Sequence, residues 1–158
     1  MTAPGARGGP TLELAGFLPY RLSVLANRVS RQLASRYAER FGVSIPEWRT
    51  IAVLGQQPDV SADFVSRKTD MDRVTVSRAV ARLLARKLLI RRTDAADRRR
   101  SVLRLSAAGH RVYAEIVPLA RAYEQTLLAA LDAPERAALE RVLAMLEART
   151  AALEGTAD

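Results

Sequence analysis

Apolar residues recur at spacings of three and four along the N-terminal part of the chain. This periodicity places them on one face of a helix, and it predicts a long helix over roughly residues 11–41. The members of the stripe are Leu18, Leu22, Leu25, Val29, Leu33 and Tyr37. Pro19 either kinks this helix or marks its true start, because proline lacks a backbone N–H. Gly42 suits the C-terminal cap.

Capping signals open three shorter helices. Ser44 is followed three residues later by Glu47, which is the spacing of a capping box, and a loop is expected from Gly55. Ser61 and Asp72 are favoured N-cap residues and introduce the other two helices. The three helices are expected over 45–54, 62–69 and 73–86. The last two are joined by a tight turn, which is typical of a helix-turn-helix.

β-favouring residues at 88–92 and 101–105 flank a polar tip, and this arrangement predicts a β-hairpin. Beyond the hairpin, Ser106 caps a further long helix and Asp132 opens a last one. The chain is therefore predicted to be mainly α, a winged helix-turn-helix with a small β-hairpin wing and long terminal helices. The terminal helices carry more apolar surface than one small domain can cover, so we expect them to pack against a second copy of the chain.

The excess positive charge is confined to the centre of the chain. From Ser61 to Arg111 there are fourteen basic and five acidic residues, a net charge of +9, whereas the remainder carries −1. A confined basic block is typical of a protein that binds a polyanion. A membrane surface would instead require a basic amphipathic helix with bulky apolar anchors. The favoured partner is therefore nucleic acid.

The composition argues against several other classes of protein. The chain has no cysteine and one histidine, His110, so thiol catalysis is excluded and a zinc site is not expected. No apolar run approaches the ~18 residues of a membrane span. The first ten residues lack the apolar core of a secretory signal, and we expect a cytoplasmic protein. No catalytic constellation is present, so neither an enzyme nor a cofactor is predicted.

The helix after Asp72 has an outward face suited to the DNA major groove. If Val76, Val80 and Leu83 turn inward, the opposite side carries arginine for guanine edges, threonine and serine for bases or phosphates, and valine for thymine methyl groups. The predicted DNA-binding residues of this helix are Arg73, Val74, Thr75, Ser77, Arg78 and Arg82. Many solvated helix faces have similar residues, so the prediction depends on the position of this face inside the basic block.

The hairpin tip carries a second DNA-binding signal. Arg98, Arg99 and Arg100 follow one another, with few carboxylates nearby. The negative potential of a narrow minor groove attracts such arginines. Asp97 is expected to pair with Arg99 and hold its guanidinium in one direction. The alternative is an ordinary solvated loop.

Three segments resemble the MarR (multiple antibiotic resistance regulator) family. They are Ser-Arg-Ala-Val-Ala-Arg-Leu at 77–83, the Asp-Arg-Arg tip at 97–99 and Leu-Ser-Ala-Ala-Gly at 105–109. The resemblance covers roughly residues 45–109 by motif, and the flanking helices by layout. Two positions depart from the family pattern, since Lys87 stands where glycine is usual and Ala95 where proline is frequent.

The resemblance implies how such a protein works. The helix after Asp72 would enter the major groove, and the pair formed by Asp97 and Arg99 would serve the minor groove. Family members are bacterial dimers built by their terminal helices. Many are repressors that are released by small aromatic or phenolic ligands.

A small organic effector is expected because thiol oxidation requires cysteine and a tight metal sensor requires more histidine or cysteine. We expect it in a crevice between the terminal helices and the winged domain. Aromatic walls with arginine suit an aromatic carboxylate or its coenzyme A thioester. The candidate lining residues are Tyr20, Asn27, Arg28, Trp48 and Arg49. Tyr20 and Trp48 are equally compatible with a place in the core.

The predicted domain plan has a flexible tail over 1–10, a helical dimerisation region over 11–43 and 107–158, and a winged helix-turn-helix DNA-binding domain over 44–106. The predicted function is that of a homodimeric regulator on a pseudo-palindromic operator, with its two recognition helices ~34 Å apart. The alternative is a nonspecific architectural DNA-binding protein. A protein-interaction module would leave the confined charge unexplained.

Overall fold

The computed structural model describes residues 10–155, so nearly all of the expected tail at 1–10 lies outside the described residues. The chain is mainly helical with one antiparallel hairpin, as predicted. It divides into two compact units, one ending at Ile116 and the other beginning at Val117. The elements are α1 (Leu18–Phe41), α2 (Ile45–Gln56), α3 (Ala62–Thr69), α4 (Arg73–Ala85), β1 (Leu89–Thr93), β2 (Ser101–Leu105), α5 (Ala107–Leu128) and α6 (Ala133–Glu154). No helix in this described range is both long and apolar enough to cross a bilayer.

Helix α1 is shorter than the predicted range of 11–41, and the alternative that Pro19 marks its true start is confirmed. It begins at Leu18 rather than near residue 11, with Pro19 in the first turn. Proline is well tolerated there because the first backbone N–H groups of a helix have no intrahelical acceptor. At the other end, Gly42 takes the left-handed conformation with φ +61°, and its N–H donates to the Ala38 carbonyl. Both ends are therefore set by backbone chemistry.

Helix α2 extends to Gln56, so the prediction that a loop begins at Gly55 is wrong. The capping box of Ser44 and Glu47 is present as expected. Gly55 remains helical and makes room for a neighbour, since a Cβ there would lie 2.6 Å from Cε2 of Tyr113. The glycine therefore permits close packing and does not end the helix.

Helices α3 and α4 form the predicted helix-turn-helix. The Ser61 hydroxyl caps α3 by accepting the N–H of Phe64 at 3.1 Å, and Asp70 makes the turn with φ +53°. Helix α4 ends at Ala85, one residue before the predicted limit. Lys87 follows with φ +57°, the conformation that glycine usually supplies, which costs about 1 kcal/mol for a residue with a Cβ.

The wing is a two-stranded antiparallel hairpin, in which Leu89 pairs with Leu105 and Thr93 with Ser101. Its first strand begins one residue later than predicted. Val60, in the loop before α3, forms an isolated bridge with Leu103. The wing is thereby attached to the helical part of the first unit.

The core of the first unit collects apolar residues from α1, α2, α3, α4, the hairpin and the start of α5. Its fully buried side chains include Tyr37, Val43, Ile51, Leu54, Val65, Val76, Val80, Leu83, Leu103 and Ile116. In the second unit, Asp132 and Glu135 form a capping box at the start of α6. No residue of α6 is buried, although several are large and apolar.

Candidate nucleic-acid interface

The two faces of α4 separate as the helical wheel predicts. Val76, Val80 and Leu83 are buried together with Ala79. Arg78 and the neighbouring polar positions are exposed, and Thr75 is half-buried. Even the apolar Val74 is 58% exposed, so the outer face of the helix is not covered by the rest of the described chain.

The arginines of this face differ in their partners. Arg73 Nη2 lies 2.9 Å from Oδ1 of Asp63 on α3, and Arg82 Nη1 lies 4.0 Å from Oε1 of Glu47. Arg78 makes no hydrogen bond or ion pair with any described residue. It lines a cleft of about 220 Å³ between the start of α2 and α4. Of the predicted readout arginines, Arg78 is therefore the one whose donors are all available.

The wing tip is ordered by its aspartates and its backbone. Asp94 Oδ1 accepts the N–H of Ala96 at 2.7 Å, and the Asp94 N–H donates to the Arg100 carbonyl at 2.8 Å. Asp97 Oδ1 accepts the backbone N–H of Arg99 at 3.0 Å. The expected ion pair between the Asp97 and Arg99 side chains is not formed, because this carboxylate caps the turn instead. The guanidinium groups of residues 98–100 are left without a carboxylate partner among the described residues.

The base of the wing is held by a salt bridge. Arg104 on β2 donates its Nε–H to Asp59 Oδ1 at 2.7 Å, and its Nη2 contacts Oδ2. Asp59 has φ +59°, and its N–H donates to the Leu103 carbonyl at 2.9 Å. The hydrogen bonds from Arg104 hold the pKa of Asp59 below its usual range. The loop before α3 and the wing are thus joined by side chains and by backbone.

Two of the residues predicted to line an effector crevice, Trp48 and Arg49, contact side chains of α1 and α5 in the first unit. The Trp48 ring packs against Tyr37 with ring centroids 5.7 Å apart, and it stacks with Tyr113 at 6.2 Å. Arg49 Nη2 donates to Ser30 Oγ at 3.1 Å. Burial raises the pKa of Tyr37 to about 12, against a smaller lowering by the Arg49 charge. An aromatic cluster with one cation beside it therefore lies between α1, α2 and α5.

The other crevice candidates lie elsewhere on α1. Tyr20 and Arg28 line a separate open groove of about 430 Å³ along the exposed first half of the helix. Tyr20 precedes Tyr37 by 17 residues, which is ~25 Å of helix. Asn27 is exposed. Within one chain, therefore, the structure does not bring Tyr20 to Trp48.

Tyr113 and Arg86, which sequence reasoning missed, contact their partners over long separations, whereas the missed role of Asp72 is local. Tyr113 completes the aromatic cluster, and Gly55, seven residues after Trp48 on α2, was the available signal that a bulky group packs there. Arg86 joins the end of α4 to the end of α1. Asp72 binds the hydroxyl of Thr75 as well as capping α4, although it was assigned only the cap.

Comparison with known proteins identifies a group of regulators. Residues 41–100 match the model of the MarR family. The chain is 25% identical over 111 residues to the transcriptional regulator HosA of Escherichia coli, covering 67% of this chain and 82% of that protein. These similarities agree with the resemblance that the sequence motifs carry.

Solved structures give the same result. A MarR/EmrR family transcriptional regulator from Acinetobacter sp. ADP1 is 25% identical, with a TM-score of 0.81 over 88% of this chain and 98% of that one. Bordetella bronchiseptica BpsR, whose DNA binding is regulated by 6-hydroxynicotinic acid, is 26% identical, with a TM-score of 0.76 over the same shares. These proteins are transcriptional regulators rather than enzymes, which confirms the predicted class and the winged helix-turn-helix fold.

Proposed function

We propose that this chain is a DNA-binding transcriptional regulator of the MarR family, which acts as a homodimeric repressor on a pseudo-palindromic operator and is released from it by a small organic effector. The observation that carries the proposal is the exposed outer face of α4, with the unpaired guanidinium of Arg78 at its centre. A guanidinium with free donors can bind the O6 and N7 atoms of guanine together.

The wing supports a second contact with the same DNA. Its tip presents three consecutive arginines, Arg98, Arg99 and Arg100, on a turn whose backbone is already hydrogen-bonded. Arginines of this kind are attracted by the negative potential of a narrow minor groove. The order of elements supports major-groove readout by α4 and minor-groove contact by the wing.

Apolar residues that the described chain leaves uncovered support the homodimer. On α1, Leu18, Leu22 and Leu25 are between 42% and 56% exposed. In the second unit, the large apolar residues exposed on α5 and α6 are Leu127, Leu139, Val142, Leu143, Met145 and Leu153. Extended apolar faces of this kind are rare on monomers. A second copy would cover them by two-fold symmetry, and two-fold symmetry in turn requires a pseudo-palindromic operator.

The aromatic cluster supports a planar organic effector. Trp48 and Tyr113 are half-buried, so their rings offer a stacking surface beside the Arg49 cation. An aromatic acid would stack on these rings and pair with the guanidinium. The likeness to BpsR, which responds to 6-hydroxynicotinic acid, favours the same class of ligand here.

The proposal is tested with the full chain on the DNA upstream of its own gene. We expect a footprint on an inverted repeat, a complex with two protein chains, and dissociation when an aromatic acid or its coenzyme A ester is added. 6-Hydroxynicotinic acid, benzoic acids and phenols form the first panel. Equal affinity for operator and unrelated DNA would instead support a nonspecific architectural protein. Release by peroxide or metal ions alone would contradict the effector class.

A further inference from the structure

A pair of hydrogen-bond acceptors interrupts the basic outer face of α4. Asp72 Oδ1 accepts the backbone N–H of Thr75 at 2.8 Å, and its Oδ2 accepts the Thr75 hydroxyl proton at 2.6 Å. Both groups are accessible at the first turn of the helix, since Asp72 is exposed and Thr75 is half-buried. The first turn is the part of a recognition helix that contacts base edges.

The shared proton decides what this pair can bind. A threonine hydroxyl has a single proton, and here that proton is donated to Asp72. The Thr75 oxygen can therefore only accept a further hydrogen bond. The ionised carboxylate of Asp72 is likewise only an acceptor, and the hydrogen bonds from Thr75 hold its pKa below the usual range. A phosphate oxygen also accepts and carries negative charge, so the pair is unsuited to the DNA backbone.

We propose that Asp72 and Thr75 together read an exocyclic amino group in the major groove, namely N4 of cytosine or N6 of adenine. These amino groups are the hydrogen-bond donors that base pairs display there. The inference rests on the proposed function, in which α4 enters that groove. Arg78 lies three residues after Thr75, on the same side of the helix. The helix thus presents acceptors followed by donors, which fits an amino group near a guanine.

The test deletes the amino group itself. In the footprinted operator, each adenine is replaced in turn by purine and each cytosine by 2-pyrimidinone, and the affinity of the full chain is measured. We expect one position per half-site at which the wild-type protein loses about tenfold in affinity. The analogue that causes the loss identifies the base. Because the analogue also weakens base pairing, the effect must be compared with that on protein variants.

Thr75→Val removes the acceptor oxygen at nearly constant volume, and the sensitivity to the missing amino group should fall below about twofold at that position. Thr75→Ser is the matched control, because it retains the hydroxyl and should retain the tenfold effect. Asp72→Asn caps a helix as well as aspartate does but no longer offers a carboxylate to the hydroxyl proton. It should therefore also lose the sensitivity.

The outcomes separate this inference from the proposed function. If Thr75→Val binds every sequence more weakly by the same factor, Thr75 contacts phosphate and the inference is wrong, while operator recognition stands. If Thr75→Val keeps the full sensitivity at every amino position, the inference is equally wrong. If the wild-type protein does not distinguish the operator from unrelated DNA, the proposed function fails and the inference fails with it.

Discussion

Arg86 Nη1 donates to the carbonyl oxygen of Gly42 at 2.7 Å, so the end of α4 is attached to the end of α1. Its Nη2 donates to the Phe41 carbonyl at 2.6 Å, and Glu47, whose side chain is 5% exposed, lies 3.8 Å from the same guanidinium. The last carbonyls of a helix lack intrahelical donors, and a cation there is favourable. A movement of α1 relative to the core would therefore act directly on α4.

Arg86→Met should lower the free energy of unfolding by about 1–2 kcal/mol, since it removes two charged hydrogen bonds from a group that is partly exposed. Urea unfolding measures the change. Arg86→Lys should restore part of the lost stability, because a lysine supplies a cation but lacks the planar guanidinium that donates to both carbonyl oxygens. Arg111→Ala, an exposed position on α5, is the control. If both Arg86 variants had the same free energy of unfolding as that control, the hydrogen bonds of Arg86 would not contribute to stability.

Arg78→Ala should weaken operator binding by about 1–3 kcal/mol and relax the preference at one base position, because a bidentate contact to guanine would be lost. Binding to a panel of single-base operator variants measures both effects. Arg78→Lys retains the charge but lacks the planar guanidinium that can make a bidentate contact. Compared with Arg78→Ala, it should therefore restore nonspecific affinity more than specificity. An even loss across all sequences would assign Arg78 to the phosphate backbone.

Arg99→Ala should weaken operator binding and reduce the slope of log affinity against log salt concentration by about one. The substitution leaves the wing tip intact, because Asp97 accepts the backbone N–H of residue 99 and not its guanidinium. The circular dichroism spectrum and the urea midpoint should therefore match the wild type. An unchanged salt slope would place Arg99 outside the interface.

Asp59→Asn should lower the stability at neutral pH, because the charged partner of Arg104 is lost. The pKa of Asp59 is lowered in the folded state from its ordinary value of 3.8. Its contribution to stability is therefore complete above pH 3.8 and is lost as the pH falls through the lowered value. The difference in unfolding free energy between wild type and variant should be constant from pH 5 to pH 8, because this whole range lies roughly one unit or more above the ordinary pKa of 3.8.

The same difference, followed by urea unfolding, should shrink below pH 3.8. Asparagine also tolerates the left-handed conformation at this position, so the substitution tests the charge rather than the backbone. A difference that persists at full size as Asp59 becomes protonated would show that the ion pair is not its source.

Trp48→Ala should abolish release of the operator by aromatic acids, because the stacking partner of Tyr113 is removed. Thermal shift with the acid and an operator-release assay measure the two effects. Arg49→Gln provides the matched variant. It should weaken the release of the operator by aromatic acids and leave the release by neutral phenols unchanged, because only the acids would pair with the guanidinium. Retention of normal release in both variants would place the effector at another site, such as the groove beside Tyr20.

The starts of four helices and the inward face of α4 were readable from the sequence because their determinants are local. The caps at Ser44, Ser61, Asp72 and Asp132 each act on an N–H three residues away. The inward stripe of α4 follows from helical periodicity alone. Confinement of charge to the central block is likewise a property of the linear chain, and it was enough to indicate a polyanion partner.

The partners of the side chains were decided only by the tertiary structure. Arg86 meets Gly42 across 44 residues, and Arg104 meets Asp59 across 45, so neither pair leaves a periodic signal. Gly55 was predicted to begin a loop, and only the packing of Tyr113 against it explains why a glycine lies inside α2. Local hydrogen bonds and periodicity are determined by neighbours along the chain. The choice among several carboxylates and carbonyls for one arginine depends on which groups folding brings within 3 Å.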